Sequence, residues 1–257
     1  MKKWKSIIVL VVLVLFVVLT GCPKADELVS GDDNDDGDTG GVITTEVGGI
    51  IDTDTMWSGK IQLTSDLIVS DGATLTIDDN TSLYVYSNYT MWIYGDLIAE
   101  GENITICSSC DEFYIRCTNN ENIKLSNVVM TNGQFSCFGA VNFTLSDCVV
   151  SDFGICISPT LGVINNVDFN RTVLQVMYDG TVNIDSCDFV NSKSVGYDFY
   201  AIYGGDSTTI NLNNCYIASN NGSTIVATST TVPDDPDSPQ QYYGVTSITA
   251  PRSTPNF

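Results

Sequence analysis

Asp168 and Asp188 each stand one residue after an apolar or cysteine site, Val167 and Cys187. If the segments that carry them stack, the two carboxylates fall side by side on an outward face. Like charges at that spacing repel unless a cation or a base joins them. A divalent ion such as Ca2+ held by Asp168 and Asp188 is one chemistry the pair would support. Arg171 is the nearest base, and Asp152 occupies the matching place one repeat earlier. A second arrangement therefore has Arg171 neutralising Asp152 and Asp168. The chain has no His, so the usual general base, proton shuttle and imidazole metal ligand are missing. That excludes zinc hydrolases and Ser-His triads. No catalytic residue is assigned on this basis. Arg171, Asp168 and Asp188 are the catalytic alternative, and no cofactor is expected unless Asp168 and Asp188 hold Ca2+.

The elements that must position these side chains are read from apolar periodicity. The strings "ENITIC" (102–107) and "ENIKLS" (121–126) nearly repeat. Alternating apolar pairs follow the same theme: Leu83/Val85, Ile104/Ile106, Ile123/Leu125, Phe143/Leu145, Val182/Ile184 and Ile210/Leu212, with Gly162/Ile164 filling one slot. Counted on the second member from Ile106, the steps are 19, 20, 19, 20 and 28. A second apolar site follows at Val128, Cys148, Val167, Cys187 and Cys215, and a third at Met130, Val150, Phe169, Phe189 and Ile217. Period-two alternation predicts strands with one buried face. A fixed period near twenty with no helical segment predicts stacked supersecondary units, each burying its inward residues on its neighbours. A β-sandwich of this length would not explain the near-constant step. The expected fold is all-β, a parallel β-helix.

The opening coils support this by resemblance. "DTMWSGKIQLTSDLIVSDGATLTIDDNTSL" (54–83) and "IYGDLIAEGENITI" (93–106) contain Trp-x-Gly, Gly-x-x-Leu-x-Ile and Gly-x-Leu-x-Ala-x-Gly elements. The series resembles the start of right-handed parallel β-helix proteins of the pectin-lyase-like class, over roughly residues 47–228. The resemblance implies the fold and leaves function open, because this fold hosts lyases, hydrolases, adhesins and inert surface proteins. It also implies what a lyase would need: several carboxylates on Ca2+ and a further basic residue for the substrate's acid groups. The His motif of the galacturonan hydrolases is missing.

Two outward aromatic surfaces are candidates for glycan binding. In "SLYVYSNYTMWIY" (82–94), inward Leu83, Val85, Met91 and Ile93 leave Tyr84, Tyr86, Trp92 and Tyr94 outward, where amphipathic rings can stack on sugars. The competing expectation is that residues 42–60 cover them as a cap. The long step between Cys187 and Cys215 adds "SVGYDFYAIYGGD", with Tyr197, Tyr200 and Tyr203. Insertions on one rung are where solenoids place function, although this one could equally pack on the flank. Cys117, Cys137 and Cys156 step by 20 and 19 and are expected to share one ladder, and Cys187 and Cys215 another. These five are disulfide candidates, with buried free thiols the alternative. "CSSC" (107–110) is read as structural.

The N-terminus gives the address. "MKKWKS" is basic, and Ile7 to Leu19 is uncharged and apolar, right for a signal-peptide core and short for a membrane span. It runs into "LTGC", which resembles the lipobox of bacterial lipoproteins. The resemblance implies cleavage before Cys22 and lipidation, such as palmitate, on that residue. Two or three acyl chains would make a stable anchor, since each buried CH2 contributes about 0.8 kcal/mol. Cleavage would remove Lys2, Lys3 and Lys5 and none of the 31 acidic residues, making the formal charge more negative than −21. Such a surface repels nucleic acid, so no nucleic-acid partner is expected. The organisation expected is a signal peptide (1–21), lipidated Cys22 with an acidic flexible linker (22–46), a parallel β-helix (47–228) and a cap or tail (229–257). The expected protein is extracytoplasmic and lipid-anchored, at the outer membrane or cell surface. It would present a non-catalytic rod for adhesion, envelope structure or glycan binding, with a polysaccharide or another envelope protein as partner. A calcium-dependent polysaccharide lyase, or a degenerate relative, is the alternative.

Overall fold

A computed structural model describes residues 44–109, 113–118, 122–177, 180–190, 194–195, 198–204, 208–218, 224–227 and 247–248. Among these there are strands and no helix, wound into a parallel β-solenoid of about seven turns. Two parallel sheets run along it, of fifteen and nine strands among the described residues. The fifteen-stranded sheet has two legs. Asn132 and Asp152 bend it at φ +54° in the middle of the long strands Val128–Phe138 and Val149–Ser158. Each complete turn therefore has three faces: the nine-stranded sheet, a short first leg and a second leg.

The interior is a set of vertical ladders. On the first leg Ile61, Leu83, Ile106, Met130, Val150, Phe169 and Phe189 stack in register. On the second leg the ladder is Leu67, Met91, Ile115, Phe135, Ile155, Leu174 and Ile202. The nine-stranded sheet adds Leu97, Ile123, Phe143, Gly162, Val182 and Ile210. The large members of all three ladders are buried, each contributing about 1.5–3 kcal/mol relative to exposure. Phe169 and Phe189 stack with ring centres 4.5 Å apart and planes 12° from parallel.

The corner between the nine-stranded sheet and the first leg explains the recurring Asn and Asp. Asn80, Asn103, Asn127, Asp147, Asn166, Ser186 and Asn214 all have φ between 49° and 57°. Asn and Asp tolerate this left-handed region better than other side-chain-bearing residues and satisfy themselves locally. The Asn103 side-chain amide donates to Asn80 Oδ1 at 3.0 Å, and that of Asn166 to Asp147 Oδ1 at 2.6 Å.

Three expectations are corrected by the register. First, "ENITIC" and "ENIKLS" do not stack. Ile104–Ser108 lies on the first leg between Ser82–Val85 and Val128–Phe138. Asn122–Ser126 lies in the nine-stranded sheet between Asp96–Ala99 and Asn142–Ser146. Period-two alternation looks alike on every face, so periodicity does not say which face a strand occupies. From Leu125 onward the ladder through Leu145, Ile164, Ile184 and Leu212 is as expected. Second, Cys137 pairs with Ile157, whereas Cys156 pairs with Ser136. Cys156 is thus one residue out of register with Cys117 and Cys137 and faces outward, since a one-residue offset changes the face. Third, Thr44–Ile51 is the strand next to Lys60–Val69 in the fifteen-stranded sheet, in parallel register, and so part of the solenoid's first coil. It begins slightly before residue 47 and is not a lid over the aromatic residues. At the other end Ser247–Ile248 adds to the nine-stranded sheet beside Thr209–Asn213.

Candidate functional site

The acidic pair expected from the sequence is present. Asp168 and Asp188 are register partners on the outward side of the first leg. Their ladder continues downward to Val149 and Val129 and upward to Tyr216. Val149 and Val129 are buried although they alternate outward, so this face is covered there. The Asp168 carboxyl is pushed above its ordinary range, first by partial desolvation and then by the charge of Asp188. Its shift carries no lowering from Arg171.

Arg171 is committed elsewhere. It sits at the corner position of Asn132 and Asp152, with φ +51°, and its backbone N–H donates to Val190 O at 2.9 Å. Its Nε donates to Asp152 Oδ1 at 2.9 Å and to Oδ2 at 3.0 Å, and its terminal Nη2 also contacts Oδ2. Hydrogen bonding to Asp152 raises the Arg171 pKa further, which makes loss of its proton harder. Of the two carboxylates expected to be neutralised by Arg171, the structure gives it Asp152. Among the described residues, no group of three or more His, Cys, Asp or Glu gathers as a metal site would require. Asp168 and Asp188 offer Ca2+ a pair of carboxylates, whereas such sites take six to eight oxygens.

The aromatic residues of 82–94 occupy two faces. Tyr84 and Tyr86 lie on and just after Ser82–Val85 of the first leg, with ring centres 6.4 Å apart and planes 11° from parallel. Trp92 lies on Thr90–Ile93 of the second leg, and Tyr94 follows it, exposed. Burial, and then the charge of Tyr84, pushes the Tyr86 phenol above its ordinary pKa. Trp92 has neighbours that sequence reasoning missed. Arg116 is its register partner on the next turn, and the guanidinium carbon lies 5.1 Å from the Trp92 ring centre and 4.9 Å from that of Tyr114. Tyr114 and Arg116 are two apart on one strand, so both point outward, a signal present in "FYIRC" (113–117). The 24-residue step from Trp92 to Arg116 hid the partnership. Two rings on one guanidinium orient it while leaving its N–H edges available, a cation–π arrangement worth about 0.5–1 kcal/mol per contact at exposed sites.

Of the insertion's candidates, Tyr203 is half-buried on Asp198–Gly204, in register with Gln175. Tyr200 lies on the same strand and pairs with Thr224. Tyr197 and Cys22 fall outside the described residues.

Among the disulfide candidates, Cys117, Cys137, Cys156, Cys187 and Cys215 are all free thiols, as is Cys148. Cys117 and Cys137 are buried register partners whose thiols hydrogen-bond, and burial drives the Cys117 pKa up. Cys107 is disulfide-bonded, with its partner outside the described residues. No protein-family model matches this chain, and no significant match emerges among curated proteins or solved structures.

Proposed function

We propose that this chain is a lipid-anchored cell-envelope protein whose β-helix acts as a non-catalytic rod and binds a glycan through its outward aromatic face. The observation that carries this reading is the cluster of Trp92, Arg116 and Tyr114 on the second leg, with exposed Tyr94 beside it. Flat amphipathic rings on a rigid sheet offer contact area at low entropic cost, and the guanidinium adds oriented donors for sugar oxygens. The Cys107 disulfide fits an oxidising compartment outside the cytoplasm. The lipobox-like "LTGC" supplies the anchor at Cys22, and the acidic segment after it supplies the tether. The opening-coil resemblance to pectin-lyase-like proteins is consistent with a polysaccharide partner.

The calcium-dependent lyase remains a second reading because Asp168 and Asp188 do stack. The bidentate engagement of Arg171 by Asp152 weighs against it, since the proposed base is already held in its charged form. One experiment addresses both. The full chain is incubated with neutral and acidic polysaccharides, with calcium and with chelator, and both binding and polymer length are recorded. Retention of a polymer without shortening, weakened by Trp92→Ala, supports the binding rod. Calcium-dependent shortening abolished by Arg171→Ala would replace it with the lyase. Absence of any retention would remove the glycan from the proposal.

A further inference from the structure

We propose that Cys187 and Cys215 form a dithiol that closes to a disulfide by exchange with a disulfide oxidant, tying off the longest turn of the solenoid. The register places them on neighbouring turns. Asp188 pairs with Tyr216, and the Tyr216 N–H donates to Cys187 O at 2.9 Å. Adjacent parallel strands lie about 4.8 Å apart, within the Cα range that a disulfide spans. The two thiols already hydrogen-bond to each other.

Position in the stack separates this pair from Cys117 and Cys137. Those two have Ile93 below and Ile157 above them in the same ladder, so their sulfurs are sealed from both ends. The ladder Cys148, Val167, Cys187, Cys215 instead ends at Cys215. Among the described residues, Tyr216–Ala218 pairs with Asp188–Val190 and with no later strand. Cys187 is fully buried and Cys215 retains 4% exposure. An incoming disulfide can therefore reach Cys215 first. The hydrogen bond with Cys187 helps to lower the Cys215 pKa to about 7, while it raises that of Cys187. This supports the order that the geometry sets, because the thiolate is the attacking species.

The chemistry balances as two exchanges. Cys215 Sγ, as thiolate, attacks one sulfur of the oxidant, forming a mixed disulfide and expelling a thiolate that takes up a proton. Cys187 then gives up its proton and attacks Cys215 Sγ, expelling the second thiol. Two protein thiols are oxidised to one disulfide, and one oxidant disulfide is reduced to two thiols. The new bond encloses residues 188–214, including the step of 28 residues where the other steps are 19 or 20.

The test uses the full chain, reduced, freed of reductant and equilibrated with oxidised glutathione. Remaining thiols are alkylated after denaturation, and the peptides are mapped by mass spectrometry. The expected result is loss of alkylation at Cys187 and Cys215 together, with their peptides joined, while Cys117, Cys137 and Cys148 stay alkylated. Cys187→Ser should trap glutathione on Cys215, whereas Cys215→Ser should leave Cys187 alkylated. Full alkylation of both cysteines in the wild-type chain at every glutathione ratio would overturn the proposal, and so would a bond at Cys117–Cys137 in its place. The wild-type mapping decides the matter even if either variant fails to fold.

Discussion

Gly162 occupies an inward slot that holds Ile123, Phe143 and Val182 on other turns. Consensus reasoning would restore a β-branched residue there. Gly162→Val would remove the cost of a strand glycine, about 0.5–1 kcal/mol, and add a buried side chain worth about 1.5–3 kcal/mol. The structure predicts the opposite sign. A Cβ at Gly162 would lie 2.9 Å from Val182 Cγ2, 3.0 Å from Pro159 Cγ and 3.3 Å from Val182 Cγ1. A valine is stiff at χ1 and a proline ring cannot fold away, so neither neighbour yields cheaply. Overpacking of this kind costs about 1–3 kcal/mol. Guanidinium unfolding of the full chain, followed by circular dichroism, should show Gly162→Val with a lower midpoint than the parent. Val182→Ala reopens the space, so in the double variant the two losses should sum to less than additivity, with a coupling of about 1–3 kcal/mol. A Gly162→Val chain more stable than the parent, or strict additivity in the cycle, would refute the packing argument.

Four further outcomes are expected. Phe169→Ala removes one ring of the Phe169–Phe189 stack from a buried ladder and should cost about 3–5 kcal/mol in the same assay. Asn166→Ala should lose about 1–2 kcal/mol because its φ is +54°, whereas Asn166→Gly should retain most of that. The Asp168 carboxyl has a raised folded-state pKa, so the folded chain binds its proton more tightly than the unfolded chain does. Its contribution to stability is full below the ordinary value of 3.8 and is lost as pH rises through the folded pKa. Asp168→Asn should therefore exceed the parent in stability at neutral pH, and the gap should shrink on acidification in unfolding curves measured across that range. Closing Cys187–Cys215 should raise unfolding free energy by about 3.5 kcal/mol on the loop-entropy account, read by comparing oxidised with reduced chain.

Much of the later half of the solenoid was legible in the sequence. The ladders through Leu125, Leu145 and Ile164 and through Met130, Val150 and Phe169 follow from a constant step of 19 or 20 residues. The Asp168–Asp188 and Arg171–Asp152 pairings follow from the same step. In the earlier turns that step is not kept. Leu83 to Ile106 is 23 residues and Leu97 to Ile123 is 26. With variable corners, identical alternation on each face let Ile106 be matched with Leu125 although they lie on different sheets. Cys156 shows the same weakness at finer scale, since a corner shortened by one residue turned it outward.

The sequence by itself determined the class of architecture, because inward apolar alternation and left-handed-tolerant Asn corners are local requirements written into each turn. It also determined the chemistry that is missing, since a chain without His has no imidazole to use. Only the tertiary structure decided which turns lie face to face. That register turned Arg171 into a partner of Asp152, brought Arg116 between Trp92 and Tyr114, and left Cys215 at the open end of its ladder. These contacts join residues about 19 to 28 positions apart. They depend on the summed lengths of the corners between them, a quantity that no single stretch of sequence contains.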